Sequence, residues 1–176
     1  GSDDLKARYL DKALTMETVF SYCLTEPASG SDAAALKTKA VQTDQGFSLT
    51  GTKAFISGGG YSDAYIVMAR TGDAGPKGIS SLIVEDGTEG LSFGGLEDKM
   101  GWRSQPTRQV QLDNCNIPSG NLLGDLVIQV RYLALRLFII SDPECSFLRK
   151  FTDHFYLETN AVPKAHHLCF NYRICL

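Results

Sequence analysis

The chain lacks the compositional marks of a protein built for a charged polymer, a membrane or an extracellular scaffold. Its 17 basic and 20 acidic residues leave a net charge of −3, with no long run of either sign. Neither nucleic acid nor an anionic membrane is therefore an expected partner. Five cysteines, Cys23, Cys115, Cys145, Cys169 and Cys175, form an odd set without CxxC spacing. That excludes a disulfide framework as the first reading and suits free thiols in a reducing compartment. The most apolar run, residues 126–140, falls short of the ~20 residues a membrane span needs and contains Arg131 and Arg136. A buried helix or strand is expected there. The opening Gly1-Ser2-Asp3-Asp4 has no basic segment followed by an apolar one, so a targeting segment, where one exists, is expected upstream.

Familiar catalytic motifs are scarce as well. Gly72, Gly75 and Gly78 are no dinucleotide fingerprint, because Pro76 interrupts them and a β-favouring run follows. There is no GxxxxGK[ST] loop, no nucleophile elbow and no pair of carboxylates spaced as an acid/base couple. His166, His167, Cys169 and Cys175 fit no zinc pattern, since adjacent histidines point apart, and no metal centre is expected.

What remains is ample for a core: 176 residues, 43% of them apolar, with no internal repeat. Ser2 is placed to cap a first helix with Asp3 and Asp4 in its opening turn, and Leu5, Tyr9, Leu10 and Ala13 supply a ragged apolar face. From Thr38 the period changes to two. Short β-favouring runs are expected at 38–41, 46–49, 53–57, 64–69, 79–84, 91–93 and 110–117, with turns between them, including Thr50-Gly51 and Gly94-Gly95. This predicts a mainly β architecture, an antiparallel barrel or sandwich over 38–118. The tail mixes aromatics, cysteines and histidines without period, and is expected to be irregular or partly helical.

Three stretches stand out. Tyr22-Cys23-Leu24-Thr25-Glu26-Pro27-Ala28-Ser29-Gly30-Ser31-Asp32 concentrates backbone-shaping and hydrogen-bonding residues. It reads either as a cofactor loop or as an ordered turn in which Ser31 or Asp32 caps a short helix at Ala33-Ala34-Ala35-Leu36. Lys53-Ala54-Phe55-Ile56-Ser57-Gly58-Gly59-Gly60 brings an aromatic, an aliphatic and a hydroxyl residue to a glycine turn. The choice there is a platform for a planar ligand or a plain hairpin. Lys99-Met100-Gly101-Trp102-Arg103-Ser104-Gln105-Pro106-Thr107-Arg108 holds the only tryptophan beside arginines, and reads as a partner surface or as a loop anchored by Trp102.

Together, in this order and spacing, the three stretches resemble the acyl-CoA dehydrogenase family over about residues 1–125. Within it, the Phe55-Ile56-Ser57 and Gly101-Trp102-Arg103-Ser104-Gln105-Pro106-Thr107-Arg108 wording is most similar to members that act on short branched acyl-CoA such as isobutyryl-CoA. The resemblance implies that 1–20 end an amino-terminal helical domain, that 21–125 are a middle β-domain, and that 126–176 form an off-family tail. It implies FAD as cofactor, with Tyr22, Cys23, Leu24, Thr25, Glu26, Pro27, Ala28, Ser29, Gly30 and Ser31 lining it and Phe55, Ile56 and Ser57 covering one flavin face. Ser31 would also touch the acyl-CoA substrate. Electron-transfer flavoprotein as partner, a homotetramer and the mitochondrial matrix follow from the same likeness. The family's catalytic carboxylate belongs to a carboxy-terminal helical domain with no counterpart here, and Glu26 corresponds to a structural glutamate. Either a truncated or alternatively spliced product, or a gene-model artefact reading into non-family sequence, accounts for the tail; a chain without turnover is expected, with an acyl-CoA oxidase as the neighbouring alternative.

Overall fold

A computed structural model of the chain describes residues 1–124, and the expectations for 126–140 and for the tail lie outside them. Helix α1, Asp3–Leu14, begins where the sequence implies: the Ser2 hydroxyl accepts the Leu5 amide at 3.2 Å, and Asp3 and Asp4 sit at the positive end. It stops at Thr15, whose hydroxyl donates back to the carbonyls of Asp11 and Lys12, and Met16 follows in the left-handed region at φ 61°. Leu5 is the one fully buried residue of the helix and packs with Ala64 and Ile83; Leu10 and Leu14 stay exposed, so the apolar face is narrower than the spacing implied. A polar clamp does the rest. Arg8 pairs with Glu85 at 2.9 Å and reaches Asn121 at 3.1 Å, while the Tyr9 hydroxyl also meets Glu85.

Among the described residues eight strands follow: β1 Phe20–Cys23, β2 Lys39–Thr43, β3 Gly46–Ser57, β4 Ala64–Arg70, β5 Ile79–Glu85, β6 Leu91–Leu96, β7 Thr107–Pro118 and β8 Leu122–Leu123. They form one sheet in the order β6-β7-β3-β2-β4-β5-β8, with β1 attached to β4. The mainly β expectation holds, but two features differ. Among the described residues the path of pairing ends at β6 and β8 without closing into a barrel. The sheet is also mixed, because β1 and β2 both meet β4 in parallel. Strand β1 was invisible in the sequence, since four residues entering a polar loop carry too little periodicity to register.

Strand β3 corrects a turn. The runs at 46–49 and 53–57 are one twelve-residue strand, and Thr50-Gly51 lies inside it. Two register shifts against β7, between Leu49 and Gly51 and between Lys53 and Ile56, absorb the irregularity as bulges. Gly94-Gly95 is likewise within β6, at a shift between Phe93 and Leu96. In both places a strand glycine marks a bulge or close backbone approach rather than a reversal. At Gly51 the reason is contact: an added Cβ would stand 2.7 Å from the Thr38 Cα.

One face of β4 contributes Tyr65, Val67 and Ala69 to the main core, with Leu49, Ile56 and Val110. Its other face carries Ala64, against Leu5 of α1, and Met68, against Leu36 and Ile79. Being covered on both sides, β4 reads as nearly continuous apolar sequence. The segment from Tyr22 to Leu36 covers part of its outer face, with Tyr22 and Leu24 packed on the Leu36 cluster.

Candidate functional site

The three stretches come together at the carboxy-terminal end of β3. Strand β1 delivers Tyr22 and Cys23 beside β4, and the chain then leaves the sheet at Leu24. Glu26 and Ser29 exchange backbone bonds, at 2.9 and 3.1 Å, which closes a tight turn around Pro27 and Ala28. The Ser29 hydroxyl donates to the Asp32 carbonyl at 2.7 Å. Beyond it Ala33–Ala35 form a single 3-10 turn with no side-chain capping bond, so the cap expected from Ser31 or Asp32 does not form.

Strand β3 meets this loop through the second bulge. Ala54 turns its amide away from β7 and donates to the Thr25 carbonyl at 2.8 Å. Phe55 follows at φ 58°, a left-handed conformation costly for an aromatic residue, and is 67% exposed. The bulge thus aims Phe55 outward, while Ile56 returns to the core at 2% exposure and Ser57 faces solvent. Next to them, Ser57 pairs with Thr107 and Ile56 with Arg108, and the Gly58 amide donates to the Pro106 carbonyl at 2.8 Å. Gly58 has φ 78°, and a Cβ there would lie 2.6 Å from the hydroxyls of both Ser21 and Ser62. Trp102 does not anchor the third stretch, for it is 82% exposed. That loop is tied by Lys99, which donates to Thr107 at 2.9 Å, and by Arg103, which donates to the Lys99 carbonyl at 2.7 Å.

Under the loop lies a buried ion pair. Glu26 accepts from Lys53 at 2.8 Å and from the amides of Thr38 and Lys37 at 2.9 and 2.7 Å. Lys53 also donates to the Leu24 carbonyl at 3.1 Å. Burial by itself raises the Glu26 carboxyl, but hydrogen bonds from Lys53, Thr38 and Lys37 outweigh it and hold the group at about 2. Burial pulls the Lys53 ammonium down, and Glu26 opposes that pull. Burial also pushes the Cys23 thiol and the Tyr22 phenol up to about 12, leaving both protonated near neutrality.

Comparison with known proteins now decides the family. The sequence profile of the acyl-CoA dehydrogenase middle domain matches residues 21–115. The chain belongs to the acyl-CoA dehydrogenase family. Among its curated relatives, the mitochondrial isobutyryl-CoA dehydrogenase of Dictyostelium discoideum is 53% identical over 125 residues, covering 70% of this chain and 30% of that protein. The one of Bos taurus is 54% identical over 71% of this chain and 30% of its own length. The butyryl-CoA dehydrogenase structure from Megasphaera elsdenii superposes with a TM-score of 0.74 at 35% identity, over 77% of this chain and 36% of that one. This acyl-CoA dehydrogenase chain thus spans about 30% of the length of the curated relatives it matches.

The expected site residues occupy distinct environments. Cys23 and Ile56 point into the main core, and Glu26 and Ser29 are buried with their polar groups engaged. Tyr22, Leu24 and Thr25 are half-buried, whereas Pro27, Ala28, Gly30, Ser31, Phe55 and Ser57 are exposed. Sequence reasoning overlooked Lys53 as the partner of Glu26, and Arg70, whose guanidinium donates to the carbonyls of Ala34, Leu36, Asp73 and Gly75. A signal for Lys53 existed: it shares the inward phase of β3 with Phe47 and Leu49, where an ammonium requires an acceptor.

Proposed function

We propose that this chain is the flavin-holding part of an FAD-dependent acyl-CoA dehydrogenase acting on a short branched acyl-CoA such as isobutyryl-CoA. The observation that carries the reading is the meeting of loop 22–32, the outward Phe55 and the paired Ser57–Thr107 residues at the carboxy-terminal end of β3. The donor set fits a flavin. The amides of Glu26 and Ser29 are spent within the turn, whereas those of Thr25, Ala28, Gly30 and Ser31 take no part in it. A Cβ added at Gly30 would meet nothing within 4 Å, so that side of the loop is open.

In this reading the Thr25 hydroxyl and the loop amides would donate to the flavin pyrimidine ring, Phe55 would pack against the ring system, and Ser57 would offer it a hydroxyl. Bound FAD supplies the two-electron acceptor for α,β-dehydrogenation of the thioester. Ser31 contacts the acyl-CoA, and Ile56 supports the platform from below. Glu26 supplies no base, because its oxygens are committed to three donors inside the protein. By the family resemblance, the base belongs to a carboxy-terminal helical domain. Electron-transfer flavoprotein as acceptor, a tetrameric assembly and the mitochondrial matrix accompany this reading through the similarity to mitochondrial isobutyryl-CoA dehydrogenases.

Titration of FAD with the purified chain tests the proposal. Saturable quenching of flavin fluorescence, weakened by Phe55→Ala, is the expected result. A flat titration at high protein concentration rejects flavin holding by this chain.

A further inference from the structure

We propose that Glu26 and Lys53 are a positioning pair, setting loop 22–32 against the Phe55 strand end so that the two halves of the site share one geometry. For its flavin consequence the inference rests on the function proposed above. Neither residue can act on a substrate, since their side chains are 6% and 0% exposed. What they do is join backbone segments distant in sequence. Lys53 reaches the Leu24 carbonyl before the turn, and Glu26 reaches the Lys37 and Thr38 amides after it. The pair thereby clamps both ends of the loop to β3.

Its place on β3 gives the clamp leverage. Lys53 immediately precedes the bulge, so Ala54 turns to the Thr25 carbonyl and Phe55 turns outward within two residues of the ammonium. Gly51, two residues earlier, lets Thr38 approach β3 closely enough for its amide to reach Glu26. Net stabilisation is a weak reason to bury two charges, because a well-packed apolar pair of similar volume is often as stable. Directional bonds from charged groups to three fixed backbone sites, the Leu24 carbonyl and the Lys37 and Thr38 amides, provide what an apolar pair lacks, a defined register between loop and strand.

Hydrogen exchange read by mass spectrometry on the 176-residue chain separates positioning from general stability. The double variant Glu26→Gln/Lys53→Met removes both charges and avoids the stranded charge that could unfold either single variant. Amides of Lys37, Thr38 and Ala54 are expected to exchange at least tenfold faster, while those of Val67 and Leu82 in the β4–β5 pair stay within threefold. Uniform acceleration at all five, or none at any, overturns the inference. FAD affinity provides the second readout, with a tenfold loss expected. An unchanged affinity in the double variant overturns the positioning role and leaves flavin holding intact. If the parent chain binds no FAD, the flavin reading fails, and the exchange pattern still decides whether the pair fixes the loop.

Discussion

At the scale of single residues, this protein places charge and strain where a loose surface loop would have neither. Glu26 titrates at about 2 in the folded chain against an ordinary 4.5, which sets the sign of its pH dependence. A depressed folded value contributes stability above about 4.5 that disappears as pH falls toward about 2. Thermal melts between these limits are expected to show a steeper loss for the parent than for Glu26→Gln. Equal slopes would exclude Glu26 as a source of the acid sensitivity. Lys53→Met alone leaves the carboxylate buried without its cation, and about 3–5 kcal/mol of destabilisation is expected in urea unfolding. Phe55 predicts the opposite sign. Its φ of 58° is unfavourable and its ring is mostly exposed, so Phe55→Gly is expected to raise stability by about 1 kcal/mol while weakening flavin binding. A stability loss comparable to a core truncation would contradict this account of strain.

At the scale of elements, β3 organises the site. Gly51, opposite a bulge whose extra residue lies in β7, admits Thr38, and the bulge in β3 itself delivers Lys53, Ala54 and Phe55 to three different surroundings. Gly51→Ala is expected to cost about 2 kcal/mol or more in a denaturant melt, because the new methyl meets the Thr38 backbone rather than a flexible side-chain end. A neutral outcome would mean that β2 and β3 can separate locally at no cost. Much of this element was legible. Alternation located both halves of β3, and the glycine marked the irregularity between them. Whether that irregularity was a turn or a bulge depended on β7, which lies about sixty positions away in the chain and pairs along most of β3.

At the scale of the whole molecule, the chain corresponds to about 30% of its curated relatives. Flavin holding and turnover are therefore separate expectations. With the loop carboxylate held at about 2 and enclosed by donors, the 176-residue chain supplied with FAD, isobutyryl-CoA and an artificial electron acceptor is expected to show no dehydrogenation above a protein-free control. Turnover above that control would place a working base within this chain. The candidate site was legible as three stretches because their unusual residue types lie locally in sequence. Their convergence was legible only through the family resemblance, since Thr25 to Ala54 and Ser57 to Thr107 are long-range pairings that no local period records.

The sequence by itself determined the helix start at Ser2, six of the strands, the glycine turn after Ser57 and membership of the acyl-CoA dehydrogenase family, for these depend on local capping, alternation and motif wording. Only the tertiary structure decided that the sheet, among the described residues, runs open and mixed, that Phe55 points outward while Ile56 points in, and that Lys53 answers Glu26 across 27 positions. The physical reason is common to all three. Register, bulges and the partner of a buried charge are settled by which distant strand comes alongside, and that choice is made by burial of the whole core.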